Sequence, residues 1–266
     1  MKNCLFVSML FVAACAGGGR ISYVSPSDAF QKGMVYYESG RYTRAAEYFR
    51  GVFDFGRAHE WADEAQLQLA RALRMNQEYI TAASEYTRFM EFFRTDPRVP
   101  DAEYERAMTY YEQSPRIELD QTSTRRGIEA FNLYIQRFPA HDSVEAAVRR
   151  VAELRQKLAE KQFYNARLYE RRGLYEAAAL SYELTFDKFP DTPLADDALM
   201  GAIRSYIRFS DQSVEQRQAE RLQKAIDHFD RMAQIFPESD LIGSARRLAA
   251  EASGRLDQLV SDESSL

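Results

Sequence analysis

Between residues 143 and 171 the apolar side chains of Ala147, Val151, Leu154, Leu158 and Phe163 recur near helical spacing, with no glycine or proline among their polar neighbours. That pattern predicts one long helix. Elsewhere the apolar pattern is shorter, and it repeats. Gly33, Ala70 and Ala107 lie 37 residues apart, and Tyr36, Leu73 and Tyr110 stand three positions after them. Ala45 and Ala82, Phe49 and Tyr86, and Val52 and Phe89 keep the same offset. Three later segments, QRFPAHD, DKFPDTP and QIFPESD, contain Phe138-Pro139, Phe189-Pro190 and Phe236-Pro237. Twelve positions before each proline stands a small residue, Gly127, Ala178 or Ala225, and four after that an aromatic, Phe131, Tyr182 or Phe229. Proline cannot continue a helix, so each of these segments predicts a helix end.

The order of small, large, small, aromatic and apolar residues is that of the tetratricopeptide repeat, in which small side chains let paired antiparallel helices touch and large ones fill the grooves beside them. The prediction is an all-α fold, a right-handed tetratricopeptide-repeat solenoid of about five helix pairs over residues 27–253. The long helix links the third and fourth pairs. Two insertions break the period: residues 112–126, EQSPRIELDQTSTRR, and the segment SDQSVEQRQAERLQ in the fifth repeat. In the first, Pro115 predicts a helix stop and Asp120, Thr122 or Ser123 a new cap. Thr192 and Pro193 read as the cap and first position of another helix. Residues 254–266, with the acidic serine-rich end SDESSL, read as a disordered tail.

The amino-terminal pattern differs. Cys4 to Ala14 is an apolar run too short to span a bilayer as a helix, a length that suits an export signal. Val12-Ala13-Ala14-Cys15 resembles a bacterial lipobox, which implies removal of residues 1–14 and acylation of Cys15. Residues 15–26, which begin Cys-Ala-Gly-Gly-Gly, would then be a flexible tether. Cleavage there discards Cys4 and leaves no thiol or disulfide, consistent with an oxidising compartment.

Composition adds mainly exclusions. The chain of 266 residues carries a net charge of −5 without a long basic block, so nothing favours nucleic acid. Sixteen Tyr and seventeen Phe against twelve Gly and eight Pro suit helices with aromatic packing. His59, His141 and His228 lack the spacing of a metal site, and the His-Asp-Ser at 141–143 is too compact for a catalytic triad. The glycine triplet has no phosphate-loop lysine. The expectation is therefore a protein that is not an enzyme, with no cofactor and no metal. Binding is the natural use of stacked helix pairs. Tyr36, Tyr37, Tyr110 and Tyr111 are candidates for a groove that grips an extended peptide, with internal packing as the other reading, and Trp61 reads as a packing residue at a helix start.

The segments SPRIELDQTSTRRGIEAFNLYIQRFP, residues 114–139, and LRQKLAEKQFYNARLYERRGLYEAAALSYELTFDKFPDTPLADDAL, residues 154–199, make the chain resemble the BamD/ComL family of outer-membrane assembly lipoproteins. The resemblance implies a lipid-anchored subunit of the β-barrel assembly machinery, on the outer membrane and facing the periplasm. Its implied partners are unfolded outer-membrane proteins, received by the first two repeats at residues 29–94, and the periplasmic domains of the barrel-forming subunit, docked on residues 154–237. The repeats alone leave open a different periplasmic lipoprotein that scaffolds cell-envelope or peptidoglycan machinery.

Overall fold

The computed structural model describes residues 20–263, so residues 1–14, Cys15 and the first part of the tether lie outside it. The described chain forms two compact units that divide after Glu78. The first contains α1 (Pro26–Glu38), α2 (Tyr42–Gly51), a 3₁₀ turn (Val52–Phe55) and α3 (Ala62–Met75). The second contains α4 (Tyr79–Phe92), α5 (Val99–Glu112), α6 (Thr122–Arg137), α7 (Val144–Arg171), α8 (Tyr175–Lys188), α9 (Ala195–Asp211), α10 (Glu215–Ile235) and α11 (Ile242–Glu263). Among the described residues there is no strand. The described residues thus form eleven α-helices and one 3₁₀ turn, the all-helical make-up of a tetratricopeptide array.

The small positions of the sequence pattern are where helices touch. Ala70, Ala107, Ala178 and Ala225 are fully buried. A Cβ built on Gly33 would stand 2.6 Å from the Phe49 ring, and one on Gly127 2.9 Å from Leu154. Trp61, at the start of α3, packs 5.1 Å from Phe30, as a packing residue should. In the second unit, one cluster joins Phe131, Tyr134 and Leu154 across α6 and α7, and a larger one joins Phe186, Leu199, Ile203, Leu222 and Met232 across α8 to α10.

Corners within the pairs use left-handed residues. Gly40 has φ +74° and Gly173 φ +72°, and in each case a second amide reaches back five residues, Arg41 N to Tyr36 O at 2.9 Å and Leu174 N to Tyr169 O at 3.0 Å. These are Schellman closures, for which glycine is favoured because it has no Cβ. Gln77 adopts the same region at φ +64° without being glycine.

The Phe-Pro corners share one geometry. Phe138, Phe189 and Phe236 end their helices at φ near −130° and ψ of 57°, 52° and 56°. The following proline forbids the α region to each of them. Three residues on, the amides of His141, Thr192 and Ser239 donate back to those phenylalanine carbonyls. This turn corrects the expected start of α9. Ala195 N donates to Thr192 O, so Leu194 is the N-cap, and the Thr192 hydroxyl donates backward to Phe189 O at 2.9 Å.

The long helix predicted over 143–171 is α7, and Pro115 follows the end of α5 as expected. At α6 the N-cap is Gln121, with the Thr122 amide bonded to the Asp120 carboxylate at 2.8 Å. The expected tail is different: α11 continues to Glu263. Leu256 and Leu259, one turn apart, pack against the α8–α10 core and carry the helix past residue 254.

Candidate functional site

α7 places Glu160, Phe163, Tyr164, Arg167 and Arg171 on one face, because positions three, four, seven and eleven apart fall on one side of a helix. With Ile117 from the insertion and Leu194 before α9 they line an open cleft of about 390 Å³ in the second unit. Ile117, Phe163, Tyr164 and Leu194 give it apolar walls, Glu160 one carboxylate, and Arg167 and Arg171 two cations further along the helix. Neither Arg167 nor Arg171 has an ion-pair partner within 4.0 Å among the described residues, and both are exposed. Tyr164 is 40 % exposed, whereas Phe163 is braced edge-on against Tyr182 at 5.3 Å.

The insertion forms a fixed wall of this cleft. Lys157 donates to the Ser114 hydroxyl at 2.9 Å, and Lys161 to the carbonyls of Ile117 and Leu119, each at 2.9 Å. Gln121, buried, adds bonds to Arg116 O and Leu119 O at 2.8 and 3.1 Å. Backbone carbonyls of an irregular segment need such donors when they are shielded from water. The resulting surface suits a segment that brings an apolar side chain and a carboxylate, the first for Phe163, Tyr164 and Leu194, the second for the arginines.

The four tyrosines singled out in the sequence fall into two pairs on different units. Tyr36 stacks on Tyr48 at 5.2 Å with 11° between the rings, and the Arg41 guanidinium lies over the Tyr36 ring, 4.7 Å from its centre. Tyr37 meets Tyr42 edge-on at 5.4 Å. Tyr110 packs against the α6–α7 core. Tyr111 donates to Glu153 at 2.6 Å and accepts from Arg150 at 3.0 Å. The hydrogen bond to Glu153, with burial, raises the Tyr111 pKa above the ordinary phenol value. All four are half-buried. The α7 face was missed by the sequence reading; its signal was the alternation of aromatic and arginine at helical spacing from 163 to 171.

One buried titratable group stands apart from this cleft. His228 on α10 is 3 % exposed, stacks on Tyr206 of α9 at 5.4 Å, and lies 3.8 Å from the Glu183 carboxylate of α8. Its Nδ1 has no hydrogen-bond partner among the described residues. Burial lowers its pKa, Arg231 and Lys224 lower it further, and Glu183 and Asp187 oppose them without reversing the direction. A histidine whose folded pKa is depressed takes up its proton more readily when unfolded, so stability is full above the unfolded value of about 6.5 and falls as pH drops below it. Urea midpoints at pH 7.5 and pH 5.5 should therefore differ less for His228→Phe than for the native chain. An unchanged difference would place the acid sensitivity elsewhere. Among the described residues no group of His, Cys, Asp and Glu is arranged to hold a metal.

Comparison with known proteins gives these surfaces a context. The chain is 24 % identical over 201 residues to "Outer membrane protein assembly factor BamD" of Caulobacter vibrioides, a match covering 74 % of this chain and 66 % of that one. It is 23 % identical over 214 residues to the protein of the same name in Rickettsia prowazekii, covering 78 % and 85 %. Among solved structures, the yeast Sti1 TPR2AB domain in complex with an HSP90 peptide is 16 % identical, with a TM-score of 0.41 and coverage of 86 % and 98 %. The family model described as "YfiO: Outer membrane lipoprotein" matches residues 23–222, most of the described helices, and the chain belongs to that family.

Proposed function

We propose that this protein is a non-enzymatic scaffold for the assembly of outer-membrane proteins, held to the outer membrane by acyl chains on Cys15 and facing the periplasm. The family match over residues 23–222 carries this reading, and the assembly-factor name borne by its relatives supports it. Two surfaces divide the work. The α7 cleft docks an acidic, apolar-tipped segment of the barrel-forming partner, whose carboxylate lies against Arg167 and Arg171. The tyrosine pairs, Tyr36 with Tyr37 on the first unit and Tyr110 with Tyr111 on the second, each offer accessible ring edges to unfolded barrel substrate. The chemistry required is affinity and placement, which rigid helix pairs supply without bond breaking.

Affinity purification of the full chain from detergent-solubilised membranes tests this. The native protein should bring down a large outer-membrane barrel that carries periplasmic domains. Arg167→Glu combined with Arg171→Glu should reduce that recovery at least about tenfold, since a hydrogen-bonded ionic contact contributes roughly 1.5–3 kcal/mol. Photocrosslinkers at Tyr36 and Tyr110 in the same cells should capture unfolded barrel termini. Recovery of envelope synthases without the barrel would instead support the cell-envelope scaffold.

A further inference from the structure

The segment that leads out of the first unit is fastened to it. Ser22 O accepts from Lys32 Nζ at 3.0 Å, and Val24 N donates to Asp28 at 3.0 Å. The Tyr23 hydroxyl donates to Asp54 in the 3₁₀ turn, and that bond raises the tyrosine's pKa above the usual phenol value. The Tyr23 ring sits edge-on to Phe55 at 6.1 Å and to Tyr48 at 6.3 Å. It also covers Gly51, where any Cβ would fall 2.4 Å from the ring. The chain is thus strapped to one end of the helix pair α1–α2, beside the 3₁₀ turn.

This strapped end exposes side chains that water does not favour. Val24 is 87 % exposed and Phe55 46 % exposed, the first next to Tyr23 in the chain and the second in ring contact with it. Arg20 is exposed close by in the chain; Arg57, also exposed, is already engaged, donating to Gln66 at 2.9 Å with its guanidinium 4.2 Å from the Phe53 ring centre. The nearby acids are engaged: Asp54 by Tyr23, and Asp28 by Lys32 at 2.9 Å. Apolar groups with a tyrosine and an arginine beside them are the composition of an interfacial contact, where rings and alkyl groups enter the headgroup boundary and a guanidinium meets phosphates.

Chain length decides the occupant. Five peptide links separate Cys15 from Arg20, and a fully extended chain of that length reaches at most about 18 Å. If Cys15 carries the acyl chains, the strap begins within that distance of the bilayer surface, and Tyr23 then fixes the 3₁₀ turn beside it. We infer that Val24 and Phe55, with Arg20, form a foot that rests on the anionic phospholipid surface and sets how the first unit stands on the membrane. The inference rests on acylation of Cys15. The acyl chains supply the attachment; the foot supplies orientation, which a glycine-rich tether alone would leave free.

The test uses the full-length acylated protein on vesicles of phosphatidylethanolamine and phosphatidylglycerol. An environment-sensitive fluorophore is attached in turn at Val24→Cys, at Phe55→Cys and at Ser39→Cys, since Cys4 leaves with the signal and acylation blocks the Cys15 sulfur. Ser39 is exposed at the far end of α1, about 20 Å away at the helical rise. Labels at 24 and 55 should show blue-shifted emission and loss of intensity with spin-labelled lipid, and the label at 39 neither. Vesicle flotation reads the anchor separately. Flotation with all three labels in water overturns the foot and leaves the anchor standing. Failure to float removes the anchor, and with it the foot.

Discussion

Tyr182→Ala is expected to lower the unfolding free energy of the second unit by about 3–5 kcal/mol, the usual cost of deleting a large buried aromatic side chain. The ring is 1 % exposed. One face of it is met by Phe163 at 5.3 Å, and the backbone of Gly201 comes so close that a Cβ there would stand 2.7 Å from it. Ala166, Ala178 and Ala202 complete the surroundings, and alanines cannot swing in to fill a void. The cavity term should therefore add nearly in full to the lost transfer energy. Gly201→Ala probes the same contact from the other side, and overpacking of this kind costs about 1–3 kcal/mol.

The hydroxyl of Tyr182 is a smaller contributor, and Tyr182→Phe separates it. It donates to Glu170 at 2.7 Å, and Glu170 also accepts from Arg204 Nε at 2.5 Å and Nη2 at 3.1 Å. Burial pushes the Glu170 carboxyl up, but the bonds from Arg204 and Tyr182 outweigh it and hold the group below its ordinary value. Tyr182→Phe leaves the carboxylate with its arginine, so its cost should be about 1 kcal/mol. The depressed carboxyl gives stability that is present above the unfolded value of 4.5 and lost as pH falls below it. Tyr182→Phe removes one of the bonds that hold the carboxyl down, so it should make that acid loss smaller. Chemical denaturation followed by circular dichroism would rank the three variants, and a Tyr182→Phe cost equal to that of Tyr182→Ala would contradict the dominance of ring packing.

Much of this arrangement was legible before any coordinates. The 37-residue offset marked Gly33, Ala70 and Ala107, and all three are buried helix contacts. The absence of glycine and proline gave α7 its length, and Phe-Pro gave three corners, because sterics at a single residue decide both. Contacts between distant positions were not legible. Thr192 has the chemistry of a cap, yet a turn closed by its own carbonyl moves the helix start two residues on. SDESSL reads as a tail because its composition is polar, whereas Leu256 and Leu259 before it belong to the core and extend the helix. Arg167 and Arg171 look like a solvated helix face until the fastened insertion and Leu194 make that face one wall of a cleft. The tyrosine pairs stood out in the sequence as candidates, but only the fold supplies Tyr48, Tyr42, Arg150 and Glu153 as their neighbours.

A charge buried at a helix interface was equally hidden, and it carries the second large effect. Glu103 of α5 sits in a stretch that reads as a solvated helix, DAEYERAM, yet its side chain has no solvent exposure. Arg106, one turn on, reaches its Oε1 at 3.4 Å, and Arg137 of α6 stands 2.7 Å from Oε2. The Arg137 approach is off the hydrogen-bond direction, so Oε2 has a charge partner without a hydrogen bond, and Arg106 Nε has no acceptor among the described residues. Arg106 is only 19 % exposed, against 50 % for Arg137. Glu103→Ala should therefore cost about 3 kcal/mol, the lower end for breaking a buried pair, because Arg106 stays buried without its counter-charge whereas Arg137 can turn to water. Replacing Arg106 as well should recover part of the loss. In Glu103→Leu with Arg106→Met, apolar side chains of similar reach fill the space, and such replacements of buried ions are often neutral or better. A double-mutant cycle on urea midpoints measures the coupling, expected to be well above the 0.5 kcal/mol scatter of independent sites. Additive costs would mean that the pair is packing with charges attached, and that the ionic contact between Glu103 and Arg106 along α5 contributes nothing of its own.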